Sequence, residues 1–324
     1  MRFALALLVF VSGAALGQAN RIVAAIGTAP PDLTLQTYYF AESQGFYKQE
    51  GIDVQLTAYN GDATAMRAMT AGEADIAALG LAIPLKAIEQ GARVKVVFAS
   101  APKMDYLLIA QKGVNSAKEL EGKNVGISGP GAVSYQVPLL MVKAAGGDPA
   151  KVNFVAVGGS AARTLALIGK KIDGAVLNTS FAHRTLKYDF LHPIGDASKD
   201  LPNFIYVVEI APERVIQQKR AALQAFVNGT LRGARWAMEN PEAAIQVSQK
   251  ILPDVAKDEI SAGIHAFAKT GYYNADGLLR KEAWDFTVDE LVKGGEIKNR
   301  LNYADHVAPE FAQAAVKKLG PWKR

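Results

Sequence analysis

Residues 40–100 read FAESQGFYKQEGIDVQLTAYNGDATAMRAMTAGEADIAALGLAIPLKAIEQGARVKVVFAS. Within this stretch, strand-like runs at 52–58, 75–79 and 94–100 alternate with helix-like runs, and glycines stand near the joints. Such alternation is typical of a parallel sheet with helices packed on it. Parallel sheets bind ligands at the carboxyl ends of their strands. The stretch therefore predicts an α/β fold with a ligand site at one edge of the sheet.

The same alternation continues on both sides of this stretch. A short apolar strand at 22–26 and a helix at 34–49 precede it. A second series follows from Pro102, where Ser116 and Glu119 have the spacing of a capping box that starts a short helix. The expected strands of this second series lie at 106–110, 124–127, 152–157 and 173–177, and its helices at 134–145 and 160–169.

Two segments of the chain echo each other. Residues 71–76 and 168–174 each end a helix at a glycine and then open an apolar strand with an aspartate. This echo predicts two similar α/β lobes. We expect lobe I to comprise residues 20–101 and 207–324, and lobe II residues 102–206. The chain then crosses between the lobes twice, near 100–104 and 203–208, as a two-segment hinge requires.

The last third of the chain has a helical pattern. Strands at 190–194 and 204–208 are expected to close lobe II. Pro212 and Pro241 stand where helices accept a proline in the first turn. From Pro212 onward we expect helices that pack back on lobe I.

The amino terminus has the composition of a Sec signal peptide. A basic Arg2 precedes an apolar run at 3–11, and small residues follow. Residues 1–19 are the expected signal peptide, with cleavage after Ala19; cleavage after Gly17 and an uncleaved anchor are the alternatives. No other stretch is long and apolar enough to cross a bilayer.

Composition excludes several classes of protein. The 324 residues include no cysteine, which rules out disulfides, cysteine-based zinc sites, a thiol nucleophile and a lipoprotein anchor. The net charge is +5, but the basic residues are scattered among acidic ones, so nucleic acid is not an expected partner. An exported, unanchored, soluble protein fits the periplasm of a Gram-negative cell.

Six loops that follow expected strands are small, polar or rich in glycine. Each precedes a helix, and a helix amino terminus presents free N–H donors to an anion. We expect them to line one cleft, with Ser128–Ser134 the strongest candidate because it offers two hydroxyls and two glycines. The loops are residues 27–32, 59–62, 80–82, 128–134, 158–160 and 178–180, the last including Thr179.

Several side chains beside these loops have two possible roles. Asp32 is placed either to receive an amine or to cap a helix. Arg163 is placed to pair with a carboxylate or sulfonate or to face solvent, and we favour solvent. Four aromatic residues are placed either to wall an organic ligand or to join the core: Tyr38, Tyr39, Tyr135 and Phe181.

No catalytic or metal-binding pattern stands out. The four histidines are isolated and lack the spacing of metal ligands: His183, His192, His265 and His306. The chain has no nucleophile elbow, P-loop or His-Glu-x-x-His motif. A binding protein without metal or cofactor is therefore the expectation.

Several motifs resemble one family over residues 21–250, with their order and spacing preserved. That family comprises the periplasmic solute-binding proteins of ABC importers for nitrate, taurine and alkanesulfonates, and it includes binding proteins for the thiamine pyrimidine. The motifs are Gly45-Phe46-Tyr47 with Gly51-Ile52-Asp53-Val54, and the runs at 71–76, 91–97, 119–126 and 169–176.

The resemblance implies a type II periplasmic binding fold, in which two lobes close on the ligand and present it to a membrane permease. The residues 178–181, Asn-Thr-Ser-Phe, depart from the aromatic or proline-containing segment of many members. The resemblance thus selects no single ligand. Carried over by position, the implied contacts are Thr28, Asp62, Leu81, Ser128, Val133, Ser160 and Asn178.

The hypothesis is a monomeric, periplasmic solute-binding component of an ABC importer that captures a small anionic organic solute. Ser128–Ser134 and Thr28 would hold the anionic end. The alternatives are a thiamine-pyrimidine binding protein, a sensory binding module for a membrane receptor, and an enzyme that uses the cleft, which would need a catalytic constellation that the sequence does not present. Related enzymes that make the thiamine pyrimidine rely on a cysteine-rich segment, which this chain lacks.

Overall fold

The computed structural model describes residues 20–29 and 31–323. The expected signal peptide, residues 1–19, lies outside the described residues. Among the helices of the described residues, none has the length and apolar character that crossing a membrane requires.

The strands of the described residues form two five-stranded sheets. The first sheet has the order β2-β1-β3-β10-β4 and the second has the order β7-β6-β8-β5-β9. The strands are β1 (Arg21–Ile26), β2 (Asp53–Ala58), β3 (Ile76–Gly80), β4 (Val94–Ala101), β5 (Leu107–Gln111), β6 (Asn124–Ile127), β7 (Asn153–Ala156), β8 (Gly174–Leu177), β9 (Leu191–Asp196) and β10 (Val207–Pro212).

Both sheets are mixed rather than purely parallel. In the first, β1 runs parallel to β2 and β3, whereas β10 is antiparallel to β3 and β4. In the second, β6 runs parallel to β7 and β8, whereas β5 is antiparallel to β8 and β9. Each sheet carries helices, so the prediction of two α/β lobes is confirmed, and the chain crosses between them at 102–106 and 197–206.

The helices connect the strands and form the end of the chain. Short 3-10 turns occur at Leu33–Leu35, Ala117–Leu120 and Pro149–Lys151. The α-helices are α1 (Thr37–Ser43), α2 (Phe46–Gln49), α3 (Asp62–Ala71), α4 (Ala82–Glu89), α5 (Val133–Ala144), α6 (Ser160–Ile168), α7 (Thr179–Thr185), α8 (Ala197–Asp200), α9 (Glu213–Gln218), α10 (Arg220–Glu239), α11 (Pro241–Ile251), α12 (Lys257–Thr270), α13 (Lys281–Lys293), α14 (Tyr303–His306) and α15 (Glu310–Leu319).

Two local predictions are wrong. The expected helix at 34–49 is a 3-10 turn followed by α1 and α2, because Gly45 adopts a left-handed φ of 67° that ends one helix before the next begins. The strand expected at 204–208 is β10, which runs to Pro212 and joins the first sheet, not the second lobe. Local sequence does not show which sheet a strand joins, because that choice depends on partners far along the chain.

The carboxyl-terminal helices pack on the first lobe, as expected. Helix α10 lies against α1. Further along, the chain returns to β4, where Ala308 N donates to Val96 O at 2.8 Å. Helix α12 also packs against α7 of the second lobe. The two lobes are therefore joined by α12 in addition to the two crossings.

Candidate functional site

The carboxyl-end edges of the two sheets face each other, and we call the space between them the cleft. Asn178 Nδ2 of the second lobe lies 3.5 Å from Asp32 Oδ2 of the first. Gly80 also faces the second lobe, since a Cβ atom there would lie 3.1 Å from Val133 Cγ2. The two crossings meet at the side of the cleft, where the hydroxyls of Tyr106 and Tyr206 lie 3.3 Å apart. The lobes are thus in contact across the predicted site.

On the first lobe, Asp62 is held inside the cleft edge. Its Oδ2 accepts a hydrogen bond from Gly80 N at 3.0 Å, which ties the start of α3 to the end of β3. Gly27 lies so close to this carboxyl that a Cβ atom there would overlap it. Thr28 is half-buried beside it, and Leu81 is buried. The loops after β1, β2 and β3 therefore meet at Asp62.

Asp32 fills the capping role, one of the two roles that the sequence left open. It accepts hydrogen bonds from Thr34 N at 3.0 Å and from the Thr34 hydroxyl, and thereby caps the turn at Leu33–Leu35. Its other oxygen faces the Asn178 amide across the cleft. Burial raises the pKa of Asp32 in spite of the hydrogen bonds from Thr34.

On the second lobe, the two serines of the Ser128–Ser134 loop bond to each other. Ser128 N donates to Ser134 Oγ at 2.8 Å, and the two hydroxyl oxygens are 2.6 Å apart. Lys86 on α4 reaches this loop from the first lobe, since its Nζ would lie 3.0 Å from a Cβ atom on Gly131. Lys86 also pairs with Glu296. Sequence reasoning missed this cation, although it lies on the helix that follows the third strand.

Arg163 does not face solvent, so that expectation is wrong. Its side chain is only 2% exposed. Nε donates to Val176 O at 3.1 Å, Nη1 to Gly158 O at 2.7 Å and Nη2 to Ser160 Oγ at 3.0 Å. The guanidinium therefore fixes the loop that carries Ser160 against β8, and its hydrogen-bonding groups are largely used within the second lobe.

Tyr38 lies in the core of the first lobe and is fully buried. Its hydroxyl donates to Glu209 and lies 3.2 Å from Ser100 Oγ, and its ring stacks on Phe226 with 6.2 Å between centroids. A wall of the cleft is therefore not its role in this arrangement. Tyr39 is half-buried, Tyr135 packs on Phe154, and Phe181 packs on an apolar cluster of the second lobe.

Sequence reasoning missed a group of residues at the start of β5 and nearby. Asp105 accepts hydrogen bonds from Thr179 N at 3.1 Å and from the Thr179 hydroxyl, and its side chain is buried. Tyr106, Tyr206 and Tyr272 lie beside it. The rule that ligands bind after the strands of a parallel sheet does not reach these residues, because β5 is antiparallel to β8 and its beginning, not its end, lies at the cleft edge.

The cleft contains three carboxyls in a mostly buried setting. Burial raises the pKa of Asp62 to about 7 and the pKa of Asp105 to about 8, and repulsion from Asp32 adds to both shifts. In the part of the chain that the structure describes, none of these three carboxyls forms an ion pair with a lysine, arginine or histidine. The cleft can therefore offer hydrogen-bond acceptors to a ligand.

Two cavities stand out around the first lobe and the cleft. One, of about 480 Å³, lies at the opposite end of the first sheet, beside Arg93, Pro212 and Arg214, and is remote from the cleft. The other, of about 370 Å³, lies at the cleft edge beside Asp105, Thr179 and Tyr272. Among residues 20–29 and 31–323, no cluster of three or more histidine, aspartate or glutamate side chains is arranged to hold a metal ion.

The family model described as NMT1/THI5 like matches residues 34–244, which is more than half of the chain. The chain belongs to the NMT1/THI5-like family. The matched range includes every strand of the second sheet and most of the loops that form the cleft.

Curated relatives of the chain carry binding-protein names. The putative binding protein YtlA of Bacillus subtilis is 25% identical over 305 residues, which cover 85% of this chain and 84% of YtlA. The riboflavin-binding protein RibY of Chloroflexus aurantiacus is 25% identical over 71% of this chain and 66% of its own length. A formylaminopyrimidine-binding protein of Halalkalibacterium halodurans is 27% identical over 64% of each chain.

Solved structures confirm the predicted type II periplasmic binding fold. The aliphatic sulphonate binding protein SsuA of Escherichia coli, a periplasmic protein, matches with a TM-score of 0.73 and 13% identity over 89% of this chain and 92% of SsuA. A Bordetella bronchiseptica protein matches with a TM-score of 0.76 and 19% identity over 93% of this chain and 98% of its own. The desulfurization enzyme DszB also matches, with a TM-score of 0.68 and 13% identity over 92% of this chain and all of DszB. At such identities the likeness shows the fold alone, and that fold serves both binding and catalysis.

Proposed function

We propose that the protein is the solute-binding component of an ABC importer, exported to the periplasm. It captures a small organic solute in the cleft and delivers it to a permease in the inner membrane. The observation that carries this proposal is the cleft itself, where loop residues of two lobes meet at Asp32 and Asn178. Family membership and the binding-protein names of the relatives support it.

The mechanism is closure of one lobe on the other. We propose that residues 20–101 with 207–324 move against residues 102–206, with the hinge in the two crossings. A solute that contacts both lobes binds the closed form more tightly than the open form, so it shifts the population toward closure. The permease then recognises the closed form. A monomer suffices, because both halves of the site come from one chain.

The proposed contacts are those that lie at the two cleft edges. Backbone donors of the Ser128–Ser134 loop and the Thr28 hydroxyl hold an anionic end of the solute, and the ion pair of Lys86 with Glu296 lies at the same loop. Tyr38 is left out because it is a core residue. The set is Thr28, Asp32, Asp62, Leu81, Ser128, Val133, Ser134, Ser160, Asn178 and Thr179.

Ligand capture followed by closure tests this proposal. Protein purified without denaturant is analysed by native mass spectrometry for retained solute, and then titrated with sulfonates, carboxylates and pyrimidines. Binding at about 100 times Kd should raise the free energy of unfolding by about 2.7 kcal/mol and reduce the radius of gyration in X-ray scattering. Stabilisation without turnover of the solute is expected. Absence of both retained solute and closure across the panel would contradict the proposal.

A further inference from the structure

The cavity of about 370 Å³ lies at the side of the cleft where β5, β9 and α12 meet. We call it the β5 cavity. It is bounded by the first crossing between the lobes, by the start of α7 and by the end of α12. Among the ligand contacts predicted from the sequence, Thr179 alone lines this cavity. The residues that matter for its chemistry are Asp105, Tyr106, Thr179, Phe267 and Tyr272.

Asp105 is the acceptor group in this cavity. Its side chain is 8% exposed, and both of its hydrogen bonds come from Thr179, through the backbone N–H at 3.1 Å and through the hydroxyl. These two bonds fix the plane of the carboxyl. A carboxylate offers about four lone-pair sites, so acceptor capacity is left over. Asp105 is therefore oriented but incompletely satisfied.

Tyr272 provides a second, independent observation. Tyr272 is only 4% exposed, and its hydroxyl has no hydrogen-bond partner among the described residues. Its ring stacks on Phe267 with 4.1 Å between centroids and 20° between planes, which holds the hydroxyl in place. The hydroxyl also experiences the charges of Asp105 and Asp32. A buried polar atom that lacks a partner beside an incompletely satisfied carboxyl marks a position where a further polar group belongs.

The other charged groups around the β5 cavity already have partners or lie at its rim. Asp196 pairs with Lys199 at 2.9 Å and accepts from Ser198 N at 3.1 Å. Lys103 is exposed at the rim. Arg163, nearby, is used by backbone carbonyls. The acceptor capacity left over at Asp105 therefore calls for a donor of hydrogen bonds, and the Tyr272 hydroxyl, which both donates and accepts, can accept from the same group.

We propose that the β5 cavity is the subsite for a nitrogen group of the solute that carries hydrogen, such as an ammonium or an amino group on a ring. The nitrogen donates to the Asp105 carboxylate and to the Tyr272 hydroxyl oxygen, while Tyr106 and Phe267 provide apolar surface for the carbon frame. This inference rests on the proposed function and specifies its ligand. The solute is then an organic amine, in addition to any anionic end that it presents to the Ser128–Ser134 loop.

Matched small probes test the nitrogen requirement. Benzylamine, benzyl alcohol and benzoate share one carbon frame and differ in the polar group, and 4-aminopyrimidine presents an amino group on a ring. Titration calorimetry at pH 8.5, above the pKa of about 8 that burial gives Asp105, should give an affinity for benzylamine at least about tenfold higher than for benzyl alcohol, since a hydrogen bond to a charged partner is worth more than a neutral one. Benzoate should bind most weakly of the three.

Substitutions in the β5 cavity test whether Asp105 and Tyr272 are responsible for the preference for benzylamine. Asp105→Asn should reduce the affinity for benzylamine at least about tenfold and leave that for benzyl alcohol within about twofold. Tyr272→Phe removes only the hydroxyl and should reduce benzylamine affinity about threefold or more. Asp196→Asn is the matched control, because this carboxyl is paired with Lys199, and it should change benzylamine affinity less than twofold. Thermal melts verify that each variant is folded.

Different measurements test the amine subsite and the transport function. If benzylamine binds no better than benzyl alcohol, if no probe binds, or if Tyr272→Phe and Asp105→Asn bind benzylamine like the wild type, the amine subsite is overturned. The retained solute and the closure measurement report on the transport proposal independently, because they do not depend on a particular polar group. A retained solute without hydrogen-bearing nitrogen would overturn only the amine subsite.

Discussion

Glu209 is a fully buried carboxyl in the middle of β10, an interior strand of the first sheet. Tyr38 donates its hydroxyl to this carboxyl, and Ser100 N donates to Oε2 at 3.1 Å. Burial raises the pKa of Glu209 to about 7, and these hydrogen bonds oppose the shift. The group is therefore mostly protonated at pH 5 and mostly ionised at pH 8.

Tyr38→Phe should destabilise the protein, by about 1–3 kcal/mol, because it leaves a buried acceptor without a donor. The loss should be larger at pH 8 than at pH 5, since the ionised carboxyl needs the donor more. Urea unfolding at both pH values measures it, with Tyr188→Phe at an exposed site as the control. Equal losses at pH 5 and pH 8 would show that Glu209 does not titrate in this range.

Asp105 is a second buried carboxyl, and its ionisation affects stability. Burial raises its pKa to about 8, with smaller contributions from Asp32 and Asp196, compared with about 3.9 in an unfolded chain. Between these values the folded state binds a proton that the unfolded state lacks, so this group's contribution to stability is present below pH 4 and is lost as the pH rises toward 8. Burial raises the pKa of Asp62 to about 7, so its contribution to stability is likewise lost as the pH rises.

Asp105→Asn should therefore change the pH dependence of stability. From pH 5 to pH 9 the variant should gain stability relative to the wild type, because the wild type must ionise a buried carboxyl and the variant has none. Urea unfolding at pH 5, 7 and 9 checks this, with Asp189→Asn at an exposed site as the control. A difference between wild type and variant that is constant with pH would contradict the prediction.

At the scale of elements, α10 and α1 approach each other closely at a glycine. A Cβ atom on Gly233 would lie 2.8 Å from Ala41 N and still closer to Thr37 O, both backbone atoms of α1. On α12, a Cβ atom on Gly263 would lie 2.5 Å from Leu33 Cδ1, the tip of a side chain that can rotate. Backbone cannot yield as a side chain tip can, so the two glycines differ in what an added methyl group would cost.

Gly233→Ala should destabilise the protein by about 1–3 kcal/mol, because α10 must move away from α1. This cost exceeds the gain of about 1 kcal/mol that alanine brings to a helix interior. Gly263→Ala is the matched comparison, with the same substitution in a helix, and it should be close to neutral or stabilising. Denaturant midpoints of the two variants measure their stabilities. A loss of stability in Gly263→Ala equal to that in Gly233→Ala would contradict the prediction.

At the scale of the whole molecule, closure depends on how tightly the two cleft edges fit. Gly80 ends β3, and a Cβ atom there would lie 3.1 Å from Val133 Cγ2 of the opposite lobe and 3.0 Å from Asp62 Oδ2. A side chain at this position therefore presses on the second lobe only when the cleft is closed. The contact with Val133 should therefore act on closure, whereas the contact with Asp62 lies within the first lobe and acts in both forms.

Gly80→Ala should weaken solute binding about fivefold or more, because overpacking that costs about 1 kcal/mol in the closed form alone lowers its population. Adding Val133→Ala should restore part of the affinity, since it removes the opposing methyl groups. Calorimetric titration with the retained solute and X-ray scattering measure binding and closure, and Val133→Ala alone is the control. Weakening that Val133→Ala does not relieve would locate the strain at Asp62 instead.

The α/β class, the family, the strand-end loops and most element positions follow from the sequence, because hydrophobic periodicity, glycine joints and motif spacing are local patterns. Three features came from the fold instead: β10 joins the first sheet, Arg163 and Tyr38 are buried, and the beginning of β5 brings Asp105 to the cleft. These outcomes depend on strand direction and pairing between residues far apart in the chain. Pairing over such distances is fixed by how the lobes bury their surfaces together, and no single segment contains that information.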